Sequence, residues 1–137
     1  MTPKIIEITS EETLNIRHRT MWPNKPINYV KLENHDQGRH FGLFIDGKMV
    51  SVISLFITNK AAQFRKFATL TEYQGKGYGT ILLNRIISIA EDEKLNKIWC
   101  NARTDKSDYY AKFGMILTKN RFKKGEIEYV VMKKNIS

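Results

Sequence analysis

The sequence is poor in the residues that staple or cross-link a fold. It has one cysteine, three prolines and three histidines in 137 residues. A single thiol, Cys100, excludes an internal disulfide and agrees with a reducing compartment. Cys100 and the scattered His18, His35 and His40 give no metal-ligand spacing, so no metal is expected. The longest mostly apolar run, Met49 to Ile57, is far too short to cross a bilayer. The first residues, Met1 to Glu7, lack the apolar stretch of a secretory leader. A cytoplasmic protein without membrane attachment is the expectation. No repeat, low-complexity tract or linker interrupts the chain, and no segment is apolar-poor enough to be disordered.

What is abundant is positive charge. Lys and Arg total 23 against 14 Asp and Glu, a net charge of +9. Such a balance attracts polyanions, whether nucleic acid, acidic lipid or a phosphate-rich ligand. The cations are scattered except for Lys119, Arg121, Lys123 and Lys124, which read as a solvated face. Without a concentrated basic stripe or a recognised motif, nucleic-acid binding is not the favoured reading. The apolar fraction of 42% is globular, and the length suits a single domain, residues 1–137, with a real core.

Taken in order, Lys4 to Thr9 reads as a first strand. Ser10, followed by Glu11 and Glu12, reads as the cap of a helix running to about Met21, before Trp22-Pro23. From Pro23 to Arg39 the chain is polar and aperiodic, and reads either as a partly helical substrate-side loop or as a surface connection. Phe41–Ile45 and Lys48–Ile57 flank Asp46-Gly47, a strong hairpin signal. Thr58-Asn59-Lys60 turns the chain into a strand from Ala62 to Leu70. Leu82, Leu83, Ile86, Ile87, Ile89 and Ala90 lie at helical spacing and predict a helix from Thr80 to Lys94. Lys97–Ala102 reads as a strand, and Thr104 or Asp105 begins a short helix through Phe113 that Gly114 ends. Met115–Leu117 and Glu126–Met132 supply the last strands, paired across Lys124-Gly125.

The stretch that organises this pattern is Gln74-Gly75-Lys76-Gly77-Tyr78-Gly79-Thr80, at a strand-to-helix junction. Glycines there leave backbone amides uncovered, and the first helical turn adds free N–H groups and the positive end of a dipole. The junction therefore suits phosphate. It is not a dinucleotide fingerprint, because its glycines do not have that motif's spacing. Nor is it a Walker loop, because Lys76 is followed by Gly77 rather than Ser or Thr.

Gln74, Gly77 and Gly79 fit Gln/Arg-x-x-Gly-x-Gly/Ala, and this resembles the acyl-CoA pyrophosphate loop of the GCN5-related N-acetyltransferases. A second match is Tyr109-Tyr110-Ala111-Lys112-Phe113-Gly114-Met115, similar to that family's Phe/Tyr-Tyr pair followed by Gly-Phe, with Tyr for Phe and Met for Phe. The element order agrees over nearly the whole chain. The resemblance implies an α+β acyl-CoA N-acyltransferase fold, with a mixed, mostly antiparallel sheet of about six or seven strands and helices on both faces. It implies acetyl-CoA as co-substrate and a primary amine of a small molecule or peptide as acceptor.

Under that resemblance the backbone of Phe67, Ala68 and Thr69 pairs with pantetheine, and Gln74, Gly75, Lys76, Gly77, Tyr78, Gly79 and Thr80 cradle the pyrophosphate. Asn101, at a strand end, hydrogen-bonds pantetheine or orders a water, or is simply a strand-end residue. Tyr110 corresponds to the family's general acid toward sulfur; the same residue also fits a packed aromatic at helical spacing from Phe113. The general base is open. Glu72 at the loop entrance is the candidate nearest the fourth strand, with Glu33, His35, Asp36 and His40 as alternatives. Arg17-His18-Arg19 and Trp22 either meet the acceptor or form a helix surface and a core tryptophan. Cys100 reads as a small core residue. The competing function is a non-catalytic CoA-binding or regulatory module of the same fold, and a homodimer is compatible with either.

Overall fold

The computed structural model describes residues 2–21, 23–24 and 38–136. Among them are seven strands: β1 Lys4–Ile8, β2 Arg39–Ile45, β3 Lys48–Thr58, β4 Ala61–Thr69, β5 Lys97–Arg103, β6 Ile116–Lys124 and β7 Ile127–Asn135. The helices are α1 Leu14–Met21, α2 Tyr78–Asp92 and α3 Ser107–Ala111. The strands form one mixed sheet in the order β1-β2-β3-β4-β5-β7-β6. The pairs β1–β2, β2–β3, β5–β7 and β6–β7 are antiparallel, whereas β4 and β5 are parallel. This is the mostly antiparallel α+β architecture expected from the sequence.

Turn chemistry sets the register of the first strands. Asp46 and Gly47 both take positive φ, 50° and 81°, as a two-residue hairpin turn matching strand twist requires. Asn59 and Lys60 do the same at 51° and 64°, so β3 enters β4 through an equally tight turn. From Val50 to Phe56 every residue of β3 is buried, both faces included.

Two compact units make up the chain: Met1–Phe56 with Lys66–Ile86, and Ile57–Arg65 with Ile87–Ser137. In the first, Ile16 of α1, Val52 of β3, and Ala68 and Leu70 at the end of β4 form a buried cluster flanked by Ile8, Met49 and Tyr73. In the second, Ile98, Cys100 and Ala102 of β5 alternate inward, as do Val130 and Met132 of β7. Cys100 stands opposite Met132 and Ala102 opposite Val130.

Three local expectations are corrected. Ser10 is in helical conformation and makes no side-chain cap. Thr9 does the capping instead: the Thr9 amide donates to Glu12 Oε1 at 2.9 Å and the Glu12 amide approaches Thr9 Oγ1 at 3.4 Å, a reciprocal capping box. Helix α2 starts at Tyr78 rather than Thr80, because Gly77 already accepts the Ile81 amide at 3.1 Å. Strand β6 extends to Lys124, well past Leu117; nearly every side chain on it is exposed, so no apolar alternation marks it. Most of the polar stretch from Pro23 to Arg39 lies outside the described residues.

Candidate functional site

Strand β4 ends at Thr69, and the Leu70 amide anchors the exit by donating to the Val50 carbonyl at 2.9 Å. A single 3-10 turn, Thr71–Tyr73, leads into the glycine loop. The Gln74 side-chain amide reaches back to the Thr69 carbonyl at 2.9 Å, closing the loop onto the strand. Gly75 and Gly77 take φ of +77° and +85°, and space is open where a Cβ would stand at either. Residues 74–77 are exposed. The loop therefore presents bare backbone directly before α2, where the amides of Tyr78, Gly79 and Thr80 occupy the first helical turn.

Charge gathers beside it. The Lys76 ammonium lies 5.7 Å from the centre of the Tyr73 ring, and Lys48, from the β2–β3 hairpin, lies 5.3 Å from the same ring. Nothing in the sequence signals Lys48, since a hairpin residue 28 positions before Lys76 reaches this loop only through the fold. Backbone amides, a helix N-terminus and two ammonium groups thus come together on one exposed loop, a donor set whose chemistry suits an anion.

Preceding the loop, β4 is kinked. Lys66 takes φ of +53°, a left-handed conformation uncommon for a residue with a Cβ; Lys60 and Lys94 take it too, but Lys66 does so inside a strand. Its carbonyl accepts a hydrogen bond from Arg17 Nε at 2.9 Å. Arg17 is wholly buried; Nη1 donates to Thr13 Oγ1 at 2.9 Å and Nη2 to Ser54 Oγ at 2.7 Å. Ser54 in turn contacts His40 Nδ1. Burial pushes the Arg17 guanidinium down to about 9, still above neutrality, so it remains a cation and a donor. Further along, Ser51 Oγ donates to the Ala68 carbonyl at 3.1 Å and pairs with Thr69 Oγ1 at 2.8 Å. Of the Arg17-His18-Arg19 run, Arg17 is thus an interior residue, while Arg19 is exposed.

In the second unit the parallel ladder joins Ala61–Gln63 to Lys97–Trp99, after which β5 continues to Arg103 along β7. Asn101 is exposed on β5, opposite Val131. Tyr110, on α3, packs against Phe64 of β4 at 5.7 Å and edge-on against Tyr109 at 5.4 Å. Burial, helped by Cys100 and Tyr109, raises its phenol above the ordinary value of 10.0, so the hydroxyl keeps its proton. Cys100 is 3% exposed and pushed up to about 12 by burial, an inert core thiol. Gly114 ends the helical segment with φ of +87°, its amide donating to the Ala111 carbonyl at 3.0 Å.

Among the base candidates, Glu72 is exposed on the 3-10 turn, 4.0 Å from Arg19. That is a loose surface pair of little energetic weight. His40 is 3% exposed and committed to Ser54, which suits a structural role. Glu33, His35 and Asp36 lie outside the described residues, as does Trp22. Among the described residues no group of three or more His, Cys, Asp or Glu is placed to hold a metal. No described helix is long and apolar enough to cross a membrane.

These features can be set beside known proteins. Residues 3–115 match the model of the acetyltransferase (GNAT) family. Over 116 residues the chain is 34% identical to an uncharacterized N-acetyltransferase, YitI, of Bacillus subtilis (strain 168), covering 78% of each chain. The fold superimposes on an acyl-CoA N-acyltransferase from Pseudomonas aeruginosa with a TM-score of 0.81 at 15% identity, covering 97% of this chain and 99% of that one. It also matches a GNAT family acetyltransferase from Elizabethkingia anophelis with acetyl-CoA bound, with a TM-score of 0.75 at 13% identity and 97% of each chain covered. A glycine loop at the start of α2, a mixed seven-stranded sheet and a family match over most of the sequence lead to one conclusion: the chain belongs to the GNAT family of acetyltransferases.

Proposed function

We propose that the protein is a cytoplasmic, acetyl-CoA-dependent N-acetyltransferase that moves the acetyl group directly to a primary amine of a small molecule or peptide. The observation that carries this is the exposed loop of residues 74–77, with Gly75 and Gly77 at positive φ, opening directly onto helix α2. Acetyl-CoA supplies an activated acetyl thioester; transfer forms a carbon–nitrogen bond, breaks the carbon–sulfur bond, moves a proton off the amine and delivers one to sulfur.

The chain's own groups answer those requirements. Backbone amides of Gly75 to Thr80, with Lys76 and Lys48, hold the pyrophosphate. The backbone of Phe67 to Thr69 pairs with the amides of pantetheine and steadies the thioester carbonyl, so side-chain identity matters little there. Asn101 hydrogen-bonds pantetheine. Tyr110 gives the proton to the departing sulfur; its raised pKa keeps it protonated, as a donor must be. Glu72 is the base candidate among the described residues, exposed and able to take the amine proton through water.

A second reading, a CoA-binding module without catalysis, draws on the lack of any carboxylate along β4 and on the position of Glu72 beside Arg19. Calorimetric titration of acetyl-CoA into the parent and into Gly77→Asp tests what the two readings share. Asp would add negative charge at the loop, so binding should be present in the parent and lost in the folded variant. A screen of amines by thiol release then tells enzyme from module. A well-folded parent that does not bind acetyl-CoA would end both readings.

A further inference from the structure

We propose that Arg17 is a positioning residue for acetyl-CoA: from α1 it holds the left-handed kink at Lys66, and the kink presents the Phe67–Thr69 backbone to pantetheine and the thioester carbonyl. The inference rests on the acetyl-CoA reading above and adds to it a residue outside the glycine loop and the tyrosine motif.

The kink needs a holder. Lysine lacks the short polar side chain with which asparagine or aspartate stabilises a left-handed residue, yet Lys66 stands at φ +53° in the middle of a strand. What meets it is a planar fork with each of its three nitrogens engaged. Arg17 Nε donates to the Lys66 carbonyl at 2.9 Å, Nη1 to Thr13 one helical turn back, and Nη2 to Ser54 on β3. A guanidinium so held cannot follow the carbonyl if the strand relaxes, so the strand keeps the kink.

Stability alone does not account for this arrangement. A cation with no exposure is costly to bury, and its three hydrogen bonds offset that cost rather than add a surplus. What an apolar side chain cannot do is donate to a main-chain carbonyl. The same strand segment is fixed again two residues on, where Ser51 donates to the Ala68 carbonyl at 3.1 Å. Ser51 lies on β3, so the Ala68 carbonyl faces the β3 edge of β4. Strand alternation then turns the N–H and C=O of Phe67 to the opposite edge, the edge on which the parallel ladder ends at Gln63. If Lys66 became extended, the alternation after it would be offset, and a different residue would present its polar groups there.

The test compares two ligands by calorimetry: acetyl-CoA, and the nucleotide half of coenzyme A, which carries the pyrophosphate but no pantetheine. In Arg17→Met we expect acetyl-CoA affinity to fall by about tenfold or more, the scale of one lost charge-assisted hydrogen bond, and the nucleotide half to bind as in the parent. Arg17→Lys, which keeps the charge but not the fork, should lose acetyl-CoA selectively too. Should Arg17→Met fail to fold, Ser54→Ala and Thr13→Val each remove one acceptor that holds the guanidinium, and each should give a smaller loss of the same selectivity. Equal affinity for acetyl-CoA in folded variants, or equal loss of both ligands, would overturn the proposal. A parent that binds neither ligand would instead strike at the acetyl-CoA reading itself and take this one with it.

Discussion

A Cβ placed on Gly79 would lie 2.9 Å from Cζ of Phe67. The first turn of α2 and the last residues of β4 therefore meet through bare backbone on one side and an aromatic ring on the other. Unlike Gly75 and Gly77, Gly79 needs no unusual φ; what crowds a side chain there is the Phe67 ring. Gly79→Ala should destabilise the protein by about 1–3 kcal/mol, the usual cost of overpacking. Phe67→Leu in the same chain should recover much of that loss. Urea unfolding of the two single variants and the double variant measures the coupling; a purely additive result would mean the ring is not what requires the glycine.

Lys48 and Lys76 share the Tyr73 ring at 5.3 and 5.7 Å, and should act together on a bound polyanion. Replacing either by Ala should weaken acetyl-CoA binding a few-fold at low salt, and replacing both should flatten its salt dependence. Titrations at two ionic strengths decide this. An unchanged salt response in the double variant would remove these lysines from the site.

Tyr110→Phe keeps the ring against Phe64 and Tyr109 but removes the acidic proton. With an amine identified by thiol release, kcat should fall about 100-fold or more while acetyl-CoA affinity holds. Because burial raises the Tyr110 pKa above 10.0, the parent's kcat should not decline as pH approaches that value. The stability sign is also set. The unfolded phenol ionises first, so the contribution of Tyr110 is intact below its unfolded value and is lost as pH rises beyond it. A full-rate Phe variant would leave the proton donor elsewhere.

The Thr9–Glu12 capping box gives a prediction at the acid end. The Thr9 amide, with its hydroxyl, holds the Glu12 carboxyl below its ordinary value. A depressed carboxylate stabilises above its unfolded pKa and loses that contribution as pH falls through the folded one. Glu12→Gln should therefore melt slightly below the parent at neutral pH and level with it in acid. A gap that persists unchanged below the folded pKa would mean that the charge is not what the cap uses.

Local chemistry explains why much of the fold could be read in advance. Asp46-Gly47 names its own turn, and the apolar spacing from Leu82 to Ala90 names its helix. The cap shifted by one residue because Thr9 and Ser10 are chemically near-equivalent; only the position of Glu12, three residues after Thr9, favours the former. The extent of β6 was hidden because a strand exposed on both faces carries no period. The anion loop was visible because its parts are contiguous. Arg17 and Lys66 are 49 residues apart, and no periodicity in either segment announces that one holds the other. Lys48 was invisible for the same reason.

The position of β7 has a consequence for how the chain is made. Its residues follow those of β5 and β6 in sequence, yet it lies between them in the sheet, with register partners on both sides. As the polypeptide leaves the ribosome, β6 has no neighbour until Ile127–Asn135 follows it, and β5 has only its short parallel ladder to β4. Completion of this half of the sheet waits for β7, and until then the basic segment around Lys119 to Lys124 has no strand partner. Lysines and arginine on an exposed strand are of the kind that disfavours edge pairing with another chain.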